Sequence, residues 1–579
     1  MKKKVFALLL ALMLVVSTGA MAMTAGTYEA EAQGMMGMVK VAVTVSENAI
    51  ESVEVVSQNE TAGLADPAIA NVPAAIVEKQ SLAVDTASGA TVTSKAILAA
   101  AEAALTAAGA DVEALKVAEV EAREAQTIEI TADVVVLGAG GAGVAAAVEA
   151  YDAGAKVVLL EKMGVIGGTT ATSQGMVGAY ESKYTKEKDV HYTFEEMYGN
   201  LMSNASYRLD PALTSVTIKE SGAAIDFMAD RLGMNFYDVI VGYGPLQMMH
   251  LVEGAGPAMK TAMETALAGT EIELMLNTEA TEILMNEDGS VKGVAAKSGV
   301  DTVYVYADSV IVCTGGYAYN PEMTVRLYPE KRGTMGIGHV ASTGEGIMMA
   351  SNVGALLTHT NDMMCVLKDY EIMTEHNGNS TTANVSSFIS RNNTVLLGAD
   401  GKRFVNEKDI GYMTQKLNSP VFDQMHKDDL GYVWAISDKK SLDEKGVKRG
   451  LDMEFITADT FEELAEKMGL DVATVAETLN NYNSYVDAGH DPEFGRLLLA
   501  KLEAPYCAVR VMPCEIITYG GIARNENSEV IRADGTVIPG LYTAGEASAN
   551  SAYMGFTITN AFVWGRIAVT NAAAFAASK

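Results

Sequence analysis

Apolar residues recur along this chain in two strand-like rhythms. From Val39 to Val45 and from Ile50 to Val55 they alternate with polar residues, the period-two pattern of strands. With the alanine-rich helix that follows Ser94, these strands make a small α+β module. From Val134 to Leu137, and again from Lys156 to Leu160, the pattern is an apolar run instead. A glycine cluster and an alanine-rich helix separate the two runs, and strand, turn, helix, strand is one βαβ unit. Further on, Ser221 to Phe227 reads as an amphipathic helix, and Glu271 to Asn277 and Val291 to Ala296 as alternating strands. A hairpin turn at Asn286-Glu287-Asp288-Gly289 precedes the second of these. Ser309 to Cys313 reads as a strand, and Thr460 to Asp487 as a helical half-lobe.

The cluster Gly138-Ala139-Gly140-Gly141-Ala142-Gly143 stands where the first apolar run passes into its helix. Gly138 permits the tight turn, Gly140 lets backbone N–H groups approach a pyrophosphate, and Gly143 lets the helix lie close on its strand. Glu161 closes the second run, where a carboxylate can accept hydrogen bonds from both ribose hydroxyls. Strand, glycines, helix, strand and acid in this order form a dinucleotide-binding signature. The unit alone does not separate FAD from NAD. Gly167-Gly168-Thr169-Thr170 adds a second glycine turn where a long cofactor would continue, and Thr314-Gly315-Gly316 a third. From Pro539 a last strand runs into a Gly545-Glu546 turn, and the whole reads as an FAD fold.

Composition narrows the partners. The 579 residues hold about three domains on the usual length prior. A net charge of −31 repels nucleic acid and anionic membrane alike. Lys2-Lys3-Lys4, an apolar stretch from Val5 to Val16 and Ala20-Met21-Ala22 read as an export signal cleaved after Ala22, with no cysteine next to it for a lipid anchor. The expected location is therefore extracytoplasmic, periplasmic or at the cell surface. Cys313, Cys365, Cys507 and Cys514 lack the spacings of zinc, iron–sulfur or haem attachment, so no metal and no haem domain is expected in this chain. Cys507 and Cys514 are open to pairing or to life as buried thiols.

Asp85-x-x-Ser88-Gly89-Ala90-Thr91 sets a hydroxyl beside a glycine just ahead of a helix. By itself this is a turn with an N-cap; a phosphate on Thr91 would also be stabilised by free N–H groups and the helix dipole. From Gly26 to Leu105 the module resembles the FMN-binding domains that receive FMN from a flavin transferase through a phosphoester to threonine, and that resemblance makes Thr91 the attachment residue.

The larger part resembles the soluble fumarate reductase flavoproteins and urocanate reductase. The resemblance is carried by the βαβ unit, Gly167-Gly168-Thr169, Thr314-Gly315-Gly316, Gly401-Lys402-Arg403-Phe404-Val405-Asn406-Glu407 and Ile538 to Tyr542 with Gly545-Glu546. It implies an α/β fold: a Rossmann-like FAD-binding domain with an inserted α+β capping domain, preceded by a small α+β FMN-binding domain. The expected divisions are a signal peptide at 1–22, the FMN-binding domain at 23–115 and a linker at 116–130. The FAD-binding domain takes 131–361 and 504–579, and the capping domain 362–503. Non-covalent FAD is expected at Gly138, Ala139, Gly140, Ala142, Gly143, Glu161, Lys162, Gly167, Gly168, Thr169, Thr170, Gly175, Ala280, Thr314, Gly315, Gly316, Gly545, Glu546, Thr557 and Ile558. The implied reaction is hydride transfer from flavin to an activated carbon–carbon double bond, fed by a membrane-associated electron donor.

Departures from the family pattern redirect the substrate. The proton-donating arginine falls on Gly411, with Tyr412 next to it; the relay residues fall on Ser387 and Ser390, with Arg391 one place away. A paired histidine becomes Ile516 and Ile517, and a carboxylate-binding arginine becomes Ala552. A dicarboxylate needs two cationic partners, since burying an unpaired carboxylate costs several kcal/mol, so fumarate is disfavoured. Tyrosines replace the cations. Tyr412 is the expected proton donor and Tyr553 the group that orients a carbonyl, although a lone tyrosine is more often packing. His250 keeps its family place, balanced between substrate contact and a satisfied core histidine. Tyr519 belongs to the same set. Two other readings stand beside the reductase: a ketosteroid dehydrogenase-like enzyme, from Ala552 to Gly555 with Thr557-Ile558, and a flavin electron carrier without alkene chemistry.

Overall fold

The computed structural model describes residues 23–35, 37–60, 65–87, 90–117, 124–243, 246–375, 393–408, 418–440, 455–550 and 555–579. The expected leader at 1–22 lies outside them. Among the described residues, no helix is long and apolar enough to cross a membrane. The chain forms two compact units that divide at Ala125/Gln126.

In the first unit the alternating segments pair as expected. Strands Gly26–Gln33, Met38–Val45 and Ile50–Ser57 form an antiparallel sheet in that order. Val39, Val41, Val43 and Val45 face one side and are buried with Ile97, Ala100, Ala101, Ala104 and Leu105 of the helix Thr91–Ala107. Small alanines let that helix lie close to the sheet, and the valines supply β-branched bulk.

The second unit is built on an eight-stranded sheet. Strands Thr278–Met285, Val291–Ser298, Asp301–Val312, Thr127–Leu137, Val157–Leu160 and Glu273–Met275 lie side by side in that order. Thr127–Leu137 pairs in parallel with Asp301–Val312 and with Val157–Leu160. Val537–Thr543 returns from the far end of the chain to pair in parallel with Val310 to Val312. The two apolar runs are continuous because both faces of these strands are covered. Val134, Val136, Val157 and Leu159 belong to one core with the helices Gly141–Asp152 and Thr557–Ala577. Val135, Leu137, Val158 and Leu160 belong to another on the opposite face.

Three boundaries shift. Sheet pairing begins at Thr127, so the last residues of the expected linker are strand. The segment Glu271 to Asn277 is strand only over Glu273–Met275, and the hairpin partner of Val291–Ser298 is Thr278–Met285. Tyr506–Thr518, expected to return to the FAD-binding domain, is instead the strand around which the lobe is built. Met335–Gly336, Met363–Asp369, Val433–Asp438 and Ile456–Ala458 all pair with it. The helical half is two helices, Phe461–Met468 and Val472–Ala488, separated at Gly469, whose φ is +71°.

All four cysteines are free and buried. Cys507 and Cys514 sit seven residues apart on one extended strand, about 23 Å at the usual rise, which excludes a bridge between them.

Candidate functional site

The glycine loop is fixed by sterics at some positions and left open at another. A Cβ on Gly138 would stand 2.6 Å from the Cys313 carbonyl oxygen, and one on Gly143 would stand 1.8 Å from the Gly138 carbonyl oxygen. Strand and helix are thus in backbone contact. A Cβ on Gly140, by contrast, would meet its nearest neighbour, the Gly167 carbonyl oxygen, at 3.9 Å. That open ground at the start of a twelve-residue helix is where a pyrophosphate fits.

The second turn comes directly alongside. Gly167 N donates to Ala139 O at 2.9 Å, and Gly140 and Gly167 form a parallel bridge. Thr170 Oγ1 accepts from Gly141 N at 3.3 Å, with Thr169 beside it on the same helical turn Gly168–Ala171. Glu161 is buried and its Oε2 accepts from Ala139 N at 2.8 Å, which places the acid at the end of its strand against the loop. Its carbonyl accepts from Thr278 N, so Ala280 follows two residues on in the same strand. Lys162 Nζ reaches both Glu345 carboxylate oxygens at 3.1 Å. Gly175, at φ +68°, lies against Ala255.

The third turn and the C-terminal return close the cradle. Gly545 packs on Ala142, whose side chain would lie 2.9 Å from a Cβ there. Glu546 accepts from Thr518 N at 2.9 Å and from Thr518 Oγ1 at 3.3 Å. Burial pushes its carboxyl up to about 7, only partly offset by those two donors. A Cβ on Gly316 would strike Thr518 Oγ1 at 2.0 Å and Glu546 Oε1 at 2.4 Å, so glycine is required there. Gly315 has φ +77°, and the buried Thr314 Oγ1 has no hydrogen-bond partner among the described residues. Thr557 and Ile558 open the helix Thr557–Ala577, half-buried. An orphaned hydroxyl, an open helix start and a buried acid converge on one groove, and these residues fit FAD. Thr518 was not evident from the sequence, because its role depends on a partner 28 residues away.

In the first unit Thr91 is exposed at the start of its helix, with no side-chain cap on the first turn. Its neighbours turn inward: Thr93 Oγ1 donates to Glu60, Met35 N donates to the same carboxylate at 3.2 Å, and Ser94 Oγ bridges Ala87 N and Ala90 O. Thr91 is thus the threonine of this turn whose side chain is left outside, and these residues fit an attached FMN phosphate. Ser88 and Gly89 lie outside the described residues.

The catalytic expectations fare differently. Tyr412 and Tyr553 lie outside the described residues, as do Ser387, Ser390, Arg391, Gly411 and Ala552. His250 is placed in the core. Its Nδ1 donates to Val177 O at 3.2 Å and its Nε2 accepts from Ser182 Oγ at 2.6 Å. The ring is fully buried and burial pulls its pKa down to about 4, so it is neutral with both nitrogens engaged. The substrate-contact reading of His250 gives way to that of a satisfied core histidine. Ile517 and Tyr519 are buried with Met202, Leu209 and Met364, and Ile516 packs against them.

The stem of the segment after Glu407 is anchored. Arg403 Nε and Nη2 donate to the two Glu407 oxygens at 3.0 and 2.9 Å, and Nη2 also reaches Asp491 at 3.0 Å. Arg496 Nη1 donates to Glu407 at 2.8 Å and to Thr394 O at 2.6 Å.

Comparison with known proteins agrees with this geometry. The FAD binding domain family matches residues 133–557, and the FMN-binding domain family residues 34–106. The chain is 32% identical to a fumarate reductase (cytochrome) of Shewanella frigidimarina over 77% of each chain. It is 28% identical to a urocanate reductase of Eggerthella lenta over 96% of this chain and 94% of that one. The open conformation of a flavocytochrome c3 fumarate reductase superposes with a TM-score of 0.64 at 28% identity, covering 77% of this chain and 79% of that one.

Proposed function

The chain belongs to the flavoprotein fumarate reductase and urocanate reductase family, and from that premise we propose an extracytoplasmic reductase of urocanate-like or cinnamate-like unsaturated acids and carbonyl compounds. It is a flavin-dependent oxidoreductase acting on carbon–carbon double bonds, with an FAD-binding and an FMN-binding domain. Electrons enter from a membrane-associated donor and pass through FMN, attached to Thr91 by a flavin transferase, to FAD.

One observation carries the substrate reading. The strand Tyr506–Thr518 delivers Ile516 and Ile517 immediately before Thr518, which hydrogen-bonds the cofactor-turn acid Glu546. A buried apolar cluster that includes Met202, Leu209 and Met364, with Ile516 partly exposed at its edge, therefore begins one residue from the one that meets Glu546, and Ile516 offers the substrate an apolar surface. Such a surface favours a flat conjugated group over a second carboxylate.

Bound FAD would supply the hydride. The protein's part is to hold, dry and protonate the substrate. The apolar cluster excludes water beside the reacting carbons, Tyr553 orients the carbonyl, and Tyr412 supplies the proton from the segment that begins after the anchored Glu407. A phenol is a weak acid, but it matches an enolate better than it matches water.

The test is anaerobic. The mature chain, produced with a flavin transferase and reduced with a viologen dye, should be reoxidised rapidly by urocanate or cinnamate-type acids and not by fumarate. Reoxidation by fumarate would overturn the apolar reading, and silence toward every alkene would leave a flavin carrier. Tyr412→Phe should lower alkene turnover at least a hundredfold, in the usual range of about 10²–10⁴ for a lost general acid, while FAD stays bound. Thr91→Val should leave the peptide around residue 91 without FMN by mass spectrometry. FMN retained there would move the attachment elsewhere.

A further inference from the structure

Arg524 is the one charged side chain in the cofactor-bearing body whose guanidinium is buried with no hydrogen-bond partner at any of its three nitrogens among the described residues. The residue is 4% exposed, and its guanidinium carbon lies 3.6 Å from the centre of the Trp564 ring. Trp564 Nε1 is already spent on Thr217 Oγ1. One helical turn before Trp564, on the same face, Asn560 is 1% exposed and neither its Oδ1 nor its Nδ2 has a partner among the described residues. Asp210 acts on Arg524 through space but does not pair with it; its Oδ1 accepts from Leu213 N as a helix cap. Burial pulls the guanidinium down to about 9, which leaves it charged at neutral pH.

The location matters as much as the chemistry. Ile522 runs parallel to Ser548, and Ala549 N donates to Ile522 O at 2.8 Å. Arg524 therefore follows the chain that leaves the Gly545-Glu546 turn, and it stands six residues after Thr518, the residue that binds Glu546. A planar fork of donors lies on Trp564 and an amide sits one turn earlier on the same helix Thr557–Ala577, and among the described residues no carboxylate pairs with them. Desolvating such a group without an acceptor is unfavourable, and the acceptor that fits the fork best is a carboxylate taken in two parallel bonds.

We propose that Arg524 receives the carboxylate of the substrate, with the Asn560 amide beside it, so that the enzyme reduces unsaturated monocarboxylates whose other end is apolar. This rests on the reductase reading above and gives it a substrate class. The Trp564 ring holds the guanidinium flat, which preorganises the fork and lowers the ordering cost of binding. Arg524 is a specificity-determining residue here.

The experiment uses the full-length, flavin-loaded protein and two pairs of probes. 3-Phenylpropanoate and its amide are titrated into the oxidised protein and followed by the flavin absorbance; cinnamate and cinnamamide are compared in turnover. In the native protein the acids should bind and react in preference to the amides. Arg524→Gln should weaken acid binding about a hundredfold and leave the amides nearly unchanged, the size expected when a charged bidentate pair is lost. Arg524→Lys, which keeps the charge and the fold, should fall between. Equal acid affinity in native and Arg524→Gln protein, or no acid preference in the native protein, overturns the proposal. Turnover of neutral enones without acid preference would sink the carboxylate site and leave the reductase standing. Arginine-dependent acid binding with no alkene reduced would do the reverse.

Discussion

Arg403 and Arg524 are both buried arginines set against aromatic rings, Arg403 5.3 Å from the centre of Tyr482 and Arg524 3.6 Å from that of Trp564. Around Arg403 the lobe supplies Glu407, Asp491 and, at 3.5 Å, Glu493. Burial opposes its charge, yet those carboxylates more than offset it and its pKa is raised. Around Arg524 the described residues supply an aromatic face and no acceptor, and burial lowers its pKa. The first arrangement is closed and its work is structural: it ties Glu407 to Asp491 and, through Arg496, to Thr394. The second is open and has capacity for an anion. A buried charge reports structure or function according to whether the fold itself completes its hydrogen bonds.

The contrast breaks most visibly in stability. Arg403→Met strands Asp491 and part of Glu407 in the interior and should cost about 3–5 kcal/mol. Arg524→Met removes a charge that the ligand-free fold leaves unpaired, and should change stability by less than about 1 kcal/mol in either direction, since the lost ring contact and the relieved desolvation oppose one another. Thermal or urea unfolding of the two variants side by side checks this; similar losses would mean that Arg524 is as closed as Arg403.

His250 sharpens the comparison from the neutral side, with an effect of intermediate size. Its pKa falls from about 6.5 unfolded to about 4 folded. Between those values only the unfolded chain takes the proton, so its contribution to stability is complete above pH 6.5 and is lost as pH falls toward 4, by about 3 kcal/mol in all. Replacing His250 by Gln should flatten that part of the stability profile relative to the native protein. An unchanged slope would put the histidine's proton elsewhere. Its position deep in the core agrees with such a role and not with proton delivery to substrate.

How much of this was legible in the sequence differs between the two halves of the site. The glycine turns were legible because each is a local demand: Gly138 and Gly143 admit no Cβ whatever else the chain does. The acid Glu161 and the exposed Thr91 followed from their place at a strand end and a helix start. The hairpin strand Thr278–Met285 was missed because the apolar and polar residues there carry a weak alternation, and its pairing is set by the neighbour Val291–Ser298. The end of the lobe was misplaced for a similar reason. Tyr506–Thr518 reads as a strand in any domain, and only its four partners show which sheet owns it.

The amino-acid sequence by itself determined the α/β architecture and the glycine turns of the FAD-binding domain, because backbone sterics and residue period act within a few positions; the FMN-binding domain was legible only through its resemblance to a known family. Tertiary structure decided that Thr518 meets Glu546, that His250 is sealed between Val177 and Ser182, and that among the described residues one buried arginine is answered while another is not. Those outcomes depend on groups brought together from distant positions, and desolvation gives them their energy only once the chain has closed around them.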